Sequence, residues 1–406
     1  MSYNFDAVVD RRNSNSEKWN KALIEKLCGN REALPFWVAD MDLIPCKEVH
    51  EAMKREAERG VIGYGAFDSL LPSFISFVKE RHSWTLDSTL TLYAQGMLHA
   101  LALALDTFTN EGDKVLLPLP AYHPFMDLCT LAKREIIPYH LEYSDGAFSF
   151  NVEKFKEASK ECALILFCSP HNPSGVVFDK ETLQAILKVV KEREQIILSD
   201  EIHADLTHPS FTHTPLGKAN EGIGAKCITF MAPSKTFNIA GEHCAFAIFS
   251  SLEMKKHFEE RQKALFLSFP GYHAGTMATA AYKYGLSYNK ELTKYLEDNA
   301  SFIEEYLKKN IPSLKFSNGG ASFVSFIDCS RIYEKVKEDA KKHKELYKGE
   351  HALLSHFFGI RGGICMNDGS WFGSDYSKFV RFNYGTSREM VKEGLDRINK
   401  AIKALQ

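Results

Sequence analysis

The sequence predicts an α/β fold, a mostly parallel sheet layered between helices, with a smaller α+β domain built from the two ends of the chain. Three observations carry that expectation. The runs at 114–119, 163–168, 195–199, 227–231 and 244–249 are short and almost wholly apolar, as strands buried on both faces are. Amphipathic helical patterns separate them: after Asp179, a candidate N-cap, Leu183, Ile186, Leu187 and Val190 recur at helical spacing. The alternation runs from about residue 46 to 285 and then stops, which assigns residues 46–285 to a large domain. The remainder, 1–45 with 286–406, forms the small one, because the first 45 residues are too few to make a core alone.

The C-terminal third follows other rules. A polar helix is expected near 288–309. The run 321–328 alternates apolar and polar residues, which suits a strand with one wet face. Thr386 and Glu389 have capping-box spacing, and Val391, Leu395, Ile398 and Ile402 give the last helix its apolar stripe.

Composition excludes several functions. With 45% hydrophobic and 25% charged residues the chain is neither disordered nor fibrous. A net charge of −2 offers no basic footprint for nucleic acid. No apolar run approaches the roughly 18 residues of a membrane span, and the N-terminus lacks a signal-peptide core. Nine scattered cysteines without a C-x-x-C pair read as reduced thiols. The expectation is a cytoplasmic enzyme. His203, His208 and His213 are five apart, which is not one helix face, so no metal site is expected. Neither G-x-G-x-x-G after a strand nor a P-loop is present.

In open α/β sheets ligands gather beyond the carboxyl ends of strands, and there the informative residues collect. The run ending at Cys168 continues into Ser-Pro-His-Asn172-Pro-Ser-Gly, the run ending at Ser199 into Asp200-Glu-Ile-His203, and the run ending at Met231 into Ala-Pro-Ser234-Lys235. Each is weak alone. Delivered in order to one rim, they point to a polar site with a nucleophilic amine.

These stretches, SPHNPSG at 169–175, SDEIH at 199–203 and APSKTFNIAG at 232–241, resemble the fold-type I pyridoxal-phosphate (PLP) enzymes of the aspartate aminotransferase superfamily. Within it they are most similar to the MalY/PatB-type, cystalysin-like carbon–sulfur β-lyases. The resemblance implies a seven-stranded type of sheet in the large PLP-binding domain, and it assigns roles. Lys235 would hold the cofactor covalently and serve as base. Asp200 would pair with the pyridine nitrogen, Asn172 would bond the 3′-oxygen, and His203 would stand where many aminotransferases direct a Tyr at that oxygen. Tyr122 would stack on the ring. Gly96, Met97 and Leu98, opening an apolar helix, would cradle the phosphate with Ser234 and with Tyr64 from a neighbouring subunit. Arg381 would bind the substrate carboxylate. Phe36, Trp37, His123 and Trp371 are candidates for the side-chain pocket.

Chemistry agrees with these roles. A carboxylate about 4 Å from the ring nitrogen interacts with it by about 4 kcal/mol at an effective dielectric near 20, or roughly three pKa units, enough to keep the nitrogen protonated. A desolvated lysine is the amine that forms Schiff bases. An arginine fork matches a carboxylate, and free N–H groups at a helix start bind phosphate. One departure stands out: many aminotransferases carry an arginine eight residues after the lysine, and here His243 stands there, as the lyases also lack that arginine. The resemblance therefore implies a homodimeric PLP-dependent lyase cleaving cystathionine or other cysteine S-conjugates to a thiol, pyruvate and ammonia. An L-amino-acid aminotransferase is the alternative, and a PLP-fold protein with a mainly regulatory binding role a further one.

Overall fold

The computed structural model describes residues 3–7 and 9–405. Seven strands form the large sheet: β1 (Thr91–Ala94), β2 (Lys114–Leu119), β3 (Glu135–His140), β4 (Leu164–Cys168), β5 (Ile196–Asp200), β6 (Lys226–Met231) and β7 (Ala245–Phe249). Their order is β1-β7-β6-β5-β4-β2-β3. Only β7 runs antiparallel to its neighbours. The other pairings are parallel, so the expected α/β architecture is present. Leu166 and Leu198 pack on one face, against Leu101 and Leu105. Ile165, Phe167 and Ile197 pack on the other, against Leu183, Ile186, Leu187 and Val190. Those four belong to the helix Lys180–Glu192, and Asp179 caps it by accepting from Thr182 N–H at 2.6 Å.

The small sheet holds β8 (Lys315–Phe316), β9 (Val324–Asp328), β10 (Asn367–Asp368) and β11 (Phe379–Asn383), in the order β8-β9-β11-β10. The polar helix expected near 288–309 spans Leu286–Asn310. From the N-terminal segment, Leu34–Pro35 pairs in parallel with Ile364–Cys365. One core runs through Val49, Phe74 and Phe246 to Leu292, Val391 and Leu395. No helix among the described residues is long and apolar enough to cross a membrane, and the nine cysteines are free and buried.

Two local expectations need correction. Strand β9 has no wet face, since Val324 through Ile327 are all buried. Its polar residue Ser325 points into protein, where its hydroxyl donates to the carbonyls of Ser174, at 3.2 Å, and Ser317. Alternation in sequence marked two different packing partners rather than protein and water. The last helix, Arg388–Lys403, is capped by Ser387, whose hydroxyl accepts from Met390 N–H at 3.3 Å, so Thr386 and Glu389 form no capping box. Glu389 still lies in the first turn, where its charge suits the helix dipole.

Candidate active site

Register brings the site together. In the parallel trio β4, β5 and β6, Cys168, Asp200 and Phe230 are level with one another. The chain then turns after each strand, and Asn172, His203, Ser234 and Lys235 follow within a few residues at the same sheet edge. One cavity there is lined by Asn172, Asp200, His203, Ser234, Lys235 and Tyr122, together with Gly96, Met97 and Leu98. Nine of the residues singled out from sequence thus share one space.

Burial governs the charges. Asp200 accepts from Ile202 N–H at 2.9 Å through Oδ1, and desolvation raises its pKa to about 7. A carboxyl group so placed favours a cationic partner. The half-buried Lys235 is lowered to about 8, first by desolvation, with Asp40 opposing and Arg381 reinforcing the shift. A larger fraction of that amine is neutral and nucleophilic near pH 7 than for an ordinary lysine. Its Nζ donates to the Ala39 carbonyl at 2.7 Å. His203 is pushed to about 3 by burial, helped by Lys235 and Arg381, so it is a neutral imidazole. Its Nδ1 lies 3.0 Å from the Ser322 hydroxyl. Burial likewise raises Tyr122.

Arg381 sits behind Asn172. Its Nη1 donates to Asn172 Oδ1 at 3.3 Å, and Nη2 to Trp37 O at 2.8 Å and Asn367 Oδ1 at 2.9 Å. Its guanidinium lies 4.9 Å over the Phe372 ring. These acceptors are all neutral, Nε is buried without a partner, and burial pulls the pKa down to about 10. A buried guanidinium facing only neutral acceptors is costly unless an anion completes it. Arg381→Lys, which keeps the charge but loses the fork, is expected to raise KM for an amino-acid substrate about tenfold to a hundredfold and to change kcat less; steady-state kinetics checks it.

At the opposite end, Gly96 precedes the helix Met97–Phe108 with φ +83, a conformation that side chains disfavour. A Cβ there would also lie 3.3 Å from His243 Nδ1. Glycine thus keeps the helix start, with its free N–H groups, open to the cavity. His243 and His99 line this end as well, their rings 5.4 Å apart. An amine, a buried carboxyl group set for a cation, an anion cradle at a helix start and an aromatic wall at Tyr122 fit PLP.

Other expected residues lie elsewhere. Tyr64 is fully exposed on the single chain. Phe36 is core, stacked on Phe382 at 4.7 Å. Trp37 is buried with its indole N–H on Lys18 O at 3.0 Å, and it touches the site only through its carbonyl on Arg381. His123, half exposed and 3.4 Å from Asp127, neighbours Trp371 across 6.3 Å, outside the lining. His203, His208 and His213 turn to separate partners: Ser322 Oγ, Ser322 O and Glu201. Sequence reading missed Ala39, Asn367 and His99. The first acts through its carbonyl, which no residue type announces. The second is brought in by β10, too short to read as a strand. The third looked like part of an apolar helix.

Residues 35–398 match the family model for aminotransferase class I and II. The chain belongs to that family. This aminotransferase-family chain is 30% identical to cystathionine beta-lyase PatB of Bacillus subtilis, over 98% of its own length and all of the relative's. Among solved structures, the family chain superimposes on a PLP-bound putative aminotransferase from Clostridium difficile 630 with TM-score 0.90, 28% identity and coverage of 99% and 100%. Cystalysin from Treponema denticola, which contains a PLP cofactor, gives TM-score 0.88, 29% identity and complete coverage of both chains.

Proposed function

We propose that this chain is a PLP-dependent carbon–sulfur β-lyase that takes a cysteine S-conjugate, such as cystathionine, and water to a thiol, pyruvate and ammonia. The observation that carries the reading is the cavity shared by Lys235 and Asp200, with Arg381 bonded to its wall at Asn172, in a chain matched over 98% of its length with a cystathionine β-lyase.

Lys235 would hold the cofactor, Asp200 would face its ring nitrogen, Asn172 and His203 its 3′-oxygen, Tyr122 its ring face, and Gly96, Met97, Leu98 and Ser234 its phosphate. Bound there, PLP supplies an electron sink that makes the substrate Cα proton acidic and lets the Cβ–S bond break. Arg381 binds the substrate carboxylate with its Nε, which orients Cα toward Lys235. The Lys235 Nζ, more often neutral than an ordinary lysine because of its lowered pKa, would remove the Cα proton, and its conjugate acid would return a proton to the leaving thiolate. Such general-base action contributes typically ~10²–10⁴-fold. Neutral His203 adds no positive charge beside Lys235, which would otherwise make the amine a weaker base.

Release of thiol and pyruvate from cystathionine without any added 2-oxo acid tests the reading. Amino transfer dependent on a 2-oxo acid, with no pyruvate formed, would replace it with an aminotransferase.

The working form is a cytoplasmic homodimer in this reading. Val61, Ile62, Tyr64, Phe266 and Phe269 are exposed on one chain, and the Phe269 carbonyl accepts from Gln95 Nε2 at 2.9 Å, next to Gly96. Such apolar exposure beside a phosphate cradle suits a subunit contact, with Tyr64 reaching the partner's site. Tyr64→Phe is expected to weaken PLP binding about tenfold and to leave thermal stability of the PLP-free protein unchanged; PLP titration followed by absorbance measures it.

A further inference from the structure

The Ala39 carbonyl that holds the Lys235 amine belongs to a turn clamped from three directions. From the small sheet, Asn383 Nδ2 donates to Val38 O and to Asp40 O at 2.7 Å. From beyond Lys235, Asn238 Nδ2 donates to Met41 O at 2.9 Å and Leu43 O at 2.7 Å, while its Oδ1 accepts from Met41 N–H at 3.1 Å. The third clamp is ionic and comes from the N-terminal segment. Arg11 forks onto Asp40 at 2.7 and 3.1 Å and reaches Asp42 Oδ1 at 2.9 Å. Lys18, 1% exposed, donates to Asp42 Oδ2 at 2.6 Å and to Asp40 O at 3.3 Å. Trp19 Nε1 adds a bond to Asp42 Oδ1 at 2.9 Å.

Two cations and two carboxylates are therefore closed into one largely buried network. Networks of this kind return less stability than apolar packing of the same volume, because desolvating the charges offsets their attraction. What a fork and a point charge do supply is geometry and a field of fixed sign. Both act at the reacting lysine. Asp40 directly follows the residue whose carbonyl accepts the Lys235 hydrogen bond, and the charges that bear on that amine are Asp40, Arg381, Asp200 and Glu17. Tyr122 and His203 share the cavity with it. Glu17 also belongs to the N-terminal segment.

We propose that residues 11–19 form a strap belonging to the active site, in which Arg11 and Lys18 are positioning residues that act through the Asp40–Asp42 turn to aim the Ala39 carbonyl at Lys235 and to set the charge its amine faces. The proposal rests on the assignment of Lys235 as the cofactor lysine. Glu17 bears on Lys235 directly, whereas Arg11 and Lys18 work through the turn, where Asp40 and its partner Arg11 carry opposite charges. Removing the Asp40 charge makes the ammonium form less favourable. Removing Arg11, which offsets Asp40, makes it more favourable.

The test compares Asp40→Asn with Arg11→Gln. The Lys235 titration midpoint is read in PLP-free protein by competitive acylation across pH with peptide mass spectrometry. The expected result is a fall of roughly half a pH unit or more for Asp40→Asn and a rise of similar size for Arg11→Gln, with kcat reduced more than KM is changed. Arg11→Lys, which keeps the charge and is the milder replacement, is expected to restore the midpoint. Midpoints that stay at the wild-type value, or that move the same way in both variants, overturn the strap. Borohydride reduction and peptide mapping of wild-type holoenzyme separates the two claims. Cofactor found on another residue sinks the proposed function, whereas labelled Lys235 with unmoved midpoints sinks the strap alone.

Discussion

Lys235→Ala is expected to lower kcat for thiol release by at least about 10³-fold and to abolish the borohydride-reducible PLP adduct. The expectation follows from the cavity. Lys235 is the amine lining it, with desolvation lowering its pKa to about 8. In the proposed function alanine removes at one stroke the covalent tether and the general base, and base action alone carries ~10²–10⁴-fold. Folding is expected to survive, because the amine's bond is to the Ala39 carbonyl, which water can satisfy in an open cavity. Circular dichroism and steady-state kinetics on the same preparation check the pair of outcomes. Retained turnover in the alanine variant would remove Lys235 from the mechanism.

Asp200→Asn is expected to cut kcat by about 10²-fold or more and, at the same time, to stabilise the PLP-free protein above neutral pH. The first effect would reflect loss of the carboxylate that the proposed function sets beside the ring nitrogen, an interaction of about 4 kcal/mol at an effective dielectric near 20. The second follows from linkage. The Asp200 pKa in the fold is about 7, while in the unfolded chain it returns to about 3.9. The folded state therefore binds this proton more tightly, and the associated stability is present at acid pH and lost as pH rises from about 4 through 7. Above that window the fold holds a buried carboxylate against a desolvation penalty, whereas asparagine has none and can still accept from Ile202 N–H. In thermal melts the advantage of the asparagine variant among the PLP-free proteins is expected to be larger at pH 8.5 than at pH 5.5, which lies inside the window. Added PLP should reverse the order at pH 8.5, since a cation beside Asp200 turns the penalty into attraction. A variant less stable than wild type at both pH values would contradict the assignment of Asp200 as a strained, ligand-directed group.

How much of this was legible beforehand depended on how local the signal was. Strands β2, β4, β5, β6 and β7 were readable because burial on both faces leaves unbroken apolar runs, and the Lys180–Glu192 helix because its stripe and its Asp179 cap lie within one segment. The sequence neighbours of Asn172, Asp200 and Lys235 announced the site because each follows directly on such a run. The reading failed where a residue's surroundings come from far along the chain. Ser325 looked solvated until the Ser174 and Ser317 carbonyls were seen on it, and the choice between Thr386 and Ser387 as cap turned on backbone angles that spacing does not specify.

The amino-acid sequence by itself determined the layered α/β class, the sheet edge at which chemistry would occur and, through resemblance, the cofactor. Those properties follow from periodicity and from residue types a few positions apart. Only the tertiary structure decided that Arg381 reaches Asn172, 209 residues earlier in the chain, that the Ala39 carbonyl receives the Lys235 amine from 196 residues away, and that Arg11 and Lys18 lock the turn between them. The physical reason is range. Strand and helix patterns are written in contacts along the chain, whereas burial, and with it the desolvation that moves Asp200 up and Lys235 down, exists only once distant segments have shut water out.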